Sequence, residues 1–92
     1  MTGDGLAHAI AERVRSCLGV ADLSGGPFGT VATYLPGERL KGVAVRDDEV
    51  AIAIVARAGR PLLDTADEVR RAVVPLADGR LVNVSIEDLE DS

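Results

Sequence analysis

The side chains that could do chemistry are few. His8 is the single histidine and Cys17 the single cysteine among 92 residues. On one helix, nine positions set them about 180° apart around the axis. They cannot share a metal ion, and no other Cys or His completes a ligand set. Nucleophilic catalysis needs a nucleophile with a base in reach. Ser16 and Ser24 have no histidine close in sequence, and Cys17 falls on an apolar stripe that suits a small core residue. Carboxylates cluster at Asp47/Asp48/Glu49, at Asp64/Asp67/Glu68 and in the C-terminal stretch, without the spacing of a calcium loop. Turn chemistry and solvation account for them. No catalytic, cofactor-binding or metal-binding residues are assigned, and the chain is expected not to be an enzyme.

Gly26-Pro27-Phe28-Gly29 matches the four-residue glycine signature of KH nucleic-acid modules. That signature normally joins two helices and carries basic residues. Here it is uncharged and precedes a stretch of strand formers. The same stretch lacks the lysine that a phosphate loop places after its last glycine. Rings are scarce (Phe28 and Tyr34, no Trp), net charge is −5 and pI is about 4.7. A stacking platform or a basic phosphate-binding surface is therefore not expected, and a KH-like module remains the alternative reading.

These residues ride on recognisable elements. Residues 6–18 place Leu6, Ile10, Val14 and Cys17/Leu18 at helical spacing, with Asp4 as a cap and Gly19 as the stop. Residues 30–35 have strand propensity, and Pro36-Gly37 is a turn signal. Residues 42–56 read as a hairpin turning at Asp47-Asp48. Residues 61–76 read as a second helix with Leu62, Ala66, Val69, Val73 and Leu76 on one stripe, ended or kinked near Val74 by Pro75. Residues 81–86 alternate as a last strand after the Asp78-Gly79 turn. The order α-β-β-β-α-β predicts an α+β two-layer sandwich, with two helices on one face of a three- to four-stranded mixed sheet. At this length, residues 1–92 are read as one domain, with flexible ends at 1–5 and 88–92. One cysteine excludes an internal disulfide. The longest apolar run, Val50–Ala56, is too short to span a membrane, and no signal-peptide pattern opens the chain.

The strand at 50–56 is apolar on both sides. Val50, Ile52 and Ile54 form one row, and Ala51, Ala53 and Val55 the other. Two helices cover one face only. The second face, with Arg46 and Arg57 beside it, is thus a candidate contact for another subunit or partner: Arg46, Ala51, Ala53, Val55 and Arg57.

The order of short motifs resembles the alkaline-shock, or Gls-type, envelope stress response proteins. The likeness runs through Ile10-Ala11, Val14 and Leu18-Gly19-Val20-Ala21-Asp22-Leu23-Ser24-Gly25-Gly26. It continues in Gly42-Val43-Ala44-Val45, in Val50 to Gly59, in Pro61 to Val73, and in Val82-Asn83-Val84-Ser85-Ile86-Glu87-Asp88-Leu89. The chain departs from the pattern in three ways. Too few residues precede the first helix for the family's opening strand, Ala58 stands where an aromatic is usual, and Pro75 interrupts the second helix. It looks like a minimal, single-domain version of actinobacterial type. The resemblance implies a non-enzymatic cytoplasmic protein that self-associates or is held at the membrane by a small membrane-anchored partner. It implies no cofactor, no nucleic acid and no direct membrane insertion.

Overall fold

The computed structural model describes residues 3–26 and 28–91. Helix α1 (Gly3–Arg15) turns Ala7, Ile10, Ala11 and Val14 inward at helical spacing, all fully buried. Strand β1 (Val20–Leu23) follows a tight turn. Then come a hairpin of β2 (Ala32–Leu35) and β3 (Glu38–Lys41), strand β4 (Val43–Val45) and the long β5 (Glu49–Arg57). Helix α2 (Leu62–Val73) runs into a 3₁₀ turn at Val74–Leu76, where Pro75 withholds its N–H, and β6 (Leu81–Glu90) closes the chain.

Strand β5 organises the sheet. On one edge it pairs antiparallel with β1 at its C-terminal end and with β4 at its N-terminal end; on the other edge it pairs parallel with β6. Val50, Ile52, Ile54 and Ala56 face the helices and are buried, as are Val43 of β4, Val20 and Leu23 of β1, and Val69 and Val73 of α2. Each of these buried Val, Leu and Ile side chains contributes about 1.5–3 kcal/mol of transfer free energy, and this layer is the core. The architecture is therefore an α+β two-layer sandwich, with two helices on one face of a four-stranded mixed sheet.

Beta strands β1 and β4 lie end to end along β5, and the chain between them makes an excursion. Ser24 N–H donates to the Ala53 carbonyl at 2.8 Å, and Ala53 N–H donates to the Gly42 carbonyl at 3.0 Å. At Gly42 the backbone adopts φ 88°, which lets β3 swing out of line with β4. A Cβ there would stand 2.6 Å from Leu23 Cβ, so the crossing needs glycine twice over. Leu40 of the hairpin reaches into the core, and Glu38 meets His8 of α1 at 3.1 Å.

Several expectations need correction. Helix α1 ends at Arg15 rather than at residue 18, because Cys17 N–H bonds Val14 in a tightened turn and Ser16 Oγ caps the Arg13 carbonyl at 2.7 Å. Leu18, placed on the apolar stripe by sequence, is instead 78% exposed. Asp4, expected as a cap, falls inside the helix, which starts at Gly3. The strand count rises from four to six among the described residues, because Val20–Leu23 and Glu38–Lys41 are also strands. The C-terminal stretch is not a free tail from residue 88. Asp88, Leu89 and Glu90 pair with Val55, Ala56 and Arg57, and a bulge at Glu87 resets the register. At the other end residues 3–5 are helical, while residues 1 and 2 lie outside the described residues.

Candidate interaction surfaces

The five residues singled out in the sequence do come to one side of the sheet, opposite the helices. Ala51, Ala53, Val55 and Arg57 alternate with the buried row of β5, and Arg46 joins the rim by pairing with Glu49 at 3.0 Å. The face is less apolar than expected. Ala53 is fully buried between the departing and returning ends of the excursion, and Ala44, the cross-strand partner of Ala51, is 6% exposed. Ala51 and Val55 are half-buried. On β6, Ala51, Ala53 and Val55 pair with Asn83, Ser85 and Asp88, all exposed and polar, and Asn83 Nδ2 donates to Glu49 Oε2. Ala53 therefore offers no accessible surface, and this side is a polar sheet face with a narrow aliphatic strip.

The apolar surface lies elsewhere. Leu63 is 84% exposed, Leu81 72%, Val74 54% and Leu89 51%. Leu63 and Val74 lie on the outer flank of the helix layer, and Leu81 and Leu89 lie at the two ends of β6. On α2, Val69 and Val73 point into the core. At 100° per residue, Leu63, Arg70 and Val74 occupy the flank about 100–140° away, while Glu68 occupies the opposite flank. The two flanks are fixed by contacts: Glu68 bonds the turn after α1, and Arg70 Nε reaches the Val82 carbonyl of β6 at 3.4 Å. The Leu63–Arg70–Val74 flank thus continues onto the outer edge of β6.

That edge has a definite hydrogen-bonding order. Leu81 N–H turns inward to the Asp48 carbonyl at 3.0 Å. In a parallel ladder alternate residues bond the same neighbour, so Leu81, Asn83 and Ser85 serve β5, while Val82, Val84 and Ile86 aim their N–H and C=O groups outward. Among the described residues no strand pairs with this edge. The side chains of Val84 and Ile86 are half-buried on the helix side. Sequence reasoning missed this surface, although Leu63 and Val74 stand off the α2 stripe and so carried a readable signal.

A second polar cluster has a structural role. The Glu68 carboxylate accepts the Leu18 N–H at 2.9 Å and the Gly19 N–H at 3.1 Å, and pairs with Arg60 at 3.2 Å. Partial burial pushes its carboxyl upward, but the two N–H donors and the Arg60 guanidinium outweigh that and hold it below the ordinary value. Gly19 lies against Thr65 so closely that a Cβ would stand 2.5 Å from Thr65 Oγ1. Thr65 is fully buried, and its hydroxyl has no hydrogen-bond partner among the described residues. Burial first, and the Glu68 charge second, push the Cys17 thiol up against the opposing effect of Arg13, which leaves it a poor nucleophile.

The remaining candidates disperse. His8 is exposed on α1 beside Glu38, far from Cys17 on the buried side. The glycine-rich loop joins two strands, β1 and β2, rather than two helices or a helix and a strand; its Pro27 lies outside the described residues. Among the described residues no three His, Cys, Asp or Glu side chains gather as a metal site, and no helix is long and apolar enough to cross a membrane. Fold and surface together describe a small α+β module in which, among the described residues, the outer edge of the long β6 carries no partner strand. No protein-family model, curated protein or solved structure matches the chain.

Proposed function

We propose that this chain is a non-catalytic assembly module of the alkaline-shock type, acting in the cytoplasm as part of the envelope stress response. It works by associating with a second copy of itself or with a small membrane-anchored protein. The observation that carries this reading is the β6–α2 side, where the exposed Leu63 and Val74 of the helix flank stand beside a strand edge with outward-facing backbone groups. The ordered run of motifs from Ile10 to Leu89 supports the family assignment. The nucleic-acid alternative gains nothing from the position of the glycine loop between two strands.

The test is association in the cell. Leu63→Lys/Leu81→Lys changes two side chains that make little contact with the core, so the fold is expected to survive. The wild-type chain should co-fractionate with membranes or with itself under envelope stress, and the double variant should lose this. A wild-type chain that stays monomeric and free of membranes under those conditions would overturn the reading.

A further inference from the structure

We infer that the occupant of the β6 edge is a second copy of this chain, joined by antiparallel β6–β6 pairing about a two-fold axis through Val84. The inference rests on the association reading above and specifies its surface and geometry. The outward-facing residues are Val82, Val84 and Ile86, spaced symmetrically about Val84. A dyad there sets Val84 against itself and Val82 against Ile86 of the partner copy, using all three outward pairs of backbone groups. The side chains of those residues lie on the helix side and are aliphatic, so the new cross-strand pairs are apolar. Beyond them the ends are complementary in charge. Arg80, whose guanidinium donates to the Arg46 and Ala77 carbonyls of its own chain at 2.7 and 3.0 Å, precedes the ladder and Glu87-Asp88 follow it, so the dyad sets each Arg80 charge opposite the partner copy's acidic pair. The bulge at Glu87 ends the pairing there.

The helix layer carries an independent sign of the same symmetry. A dyad normal to the sheet leaves both α2 helices on one face, antiparallel to each other. Along the outer flank of α2 the order is Leu63, Asp67, Arg70, Val74. Reversed on the partner copy, this order brings Leu63 toward Val74 and Asp67 toward Arg70, so apolar meets apolar and acid meets base. Within one chain Asp67 and Arg70 are only 3.6 Å neighbours in solvent, and the Arg70 bond to Val82 is long at 3.4 Å. Both are weak enough to be exchanged. A peptide of unrelated sequence would satisfy the strand edge but not the helix flank, which favours a second copy.

The experiment is sedimentation equilibrium of the intact chain from about 5 to about 500 µM, the range of transient interfaces. Wild type is expected to reach a dimer. Val84→Pro removes an outward N–H without touching the β5 ladder, and Leu63→Lys alters only the helix flank. Each should weaken dimerisation by roughly tenfold or more. Because Val84→Pro could disturb the strand, register is tested separately in a Cys17→Ala background. An Asn83→Cys chain mixed with a Ser85→Cys chain should give a covalent dimer far more readily than either alone, since these positions oppose each other across the dyad. Wild type that is monomeric throughout, a dimer indifferent to Leu63→Lys, or equal cross-linking of the single variants would each overturn the inference. If wild type is monomeric while membrane co-fractionation still depends on Leu63 and Leu81, the association reading stands and the two-fold dimer falls.

Discussion

Replacing Glu68 by Gln should destabilise the fold at neutral pH and cost little in acid. The carboxylate receives two backbone N–H groups and one guanidinium. A hydrogen bond to a charged acceptor contributes about 1.5–3 kcal/mol when shielded, against about 0.5–1.5 kcal/mol for a neutral one. The Glu68 side chain keeps 26% of its surface, and the exposed turn lets water replace part of what is lost. Gln retains one acceptor oxygen but turns its amide toward a donor. Arg60, 38% exposed, adds at most about 0.5 kcal/mol. The net loss is then about 1–2 kcal/mol, or about a 1 M fall in the urea midpoint for a domain of this size. The sign of the pH dependence follows from the lowered carboxyl. The folded chain holds this proton less readily than the unfolded chain does. The stabilisation is therefore whole above the ordinary value of 4.5 and is lost as pH falls through the folded value. Urea titrations at neutral pH and at successively lower pH should show the gap between wild type and Glu68→Gln narrowing below that value. Equal midpoints at pH 7, or a gap that persists unchanged to about pH 3, would refute the assigned role.

Gly42→Ala should cost about 2–4 kcal/mol, combining a positive φ with a collision against Leu23, and thermal unfolding would reveal it as a clear drop in Tm. Thr65→Val should be neutral or stabilising by up to about 1 kcal/mol, because it keeps the shape and removes a buried hydroxyl without a partner; a loss above about 1 kcal/mol in urea would show that the hydroxyl is satisfied.

The parts of the fold legible in the sequence were those whose signals are local. The alternation through Val43–Ile54 specified the β4–β5 hairpin, and Pro75 marked where α2 gives way to a 3₁₀ turn. What escaped depends on distant partners. Helix α1 stops early at a turn held by Glu68, some fifty residues away, and nothing in Ser16-Cys17-Leu18 announces it. Val20–Leu23 is short and becomes a strand because β5 extends far enough to pair with it. The acidic stretch at 87–90 looks like a solvated tail until Arg57 and the end of β5 supply its neighbours. For the candidate surface, the alternation correctly grouped Ala51, Ala53 and Val55, but burial of Ala53 depends on the chain crossing at Gly42. The β6 edge was invisible because strand order, rather than composition, decides which strand lies outermost.

Ala53 holds both the exit and the return of the excursion between β1 and β4, through its carbonyl and its N–H respectively. A single residue thus clamps the neck of an Ω-shaped outgrowth. Lengthening or shortening the tip near Gly37 adds only a logarithmic closure entropy, about 0.6 kcal/mol per doubling, and leaves the sandwich undisturbed. The tip of the outgrowth, beyond the core-facing Leu40, can consequently be remodelled, or made to display a grafted epitope, at a rate of change set by its own needs rather than by those of the body that carries it.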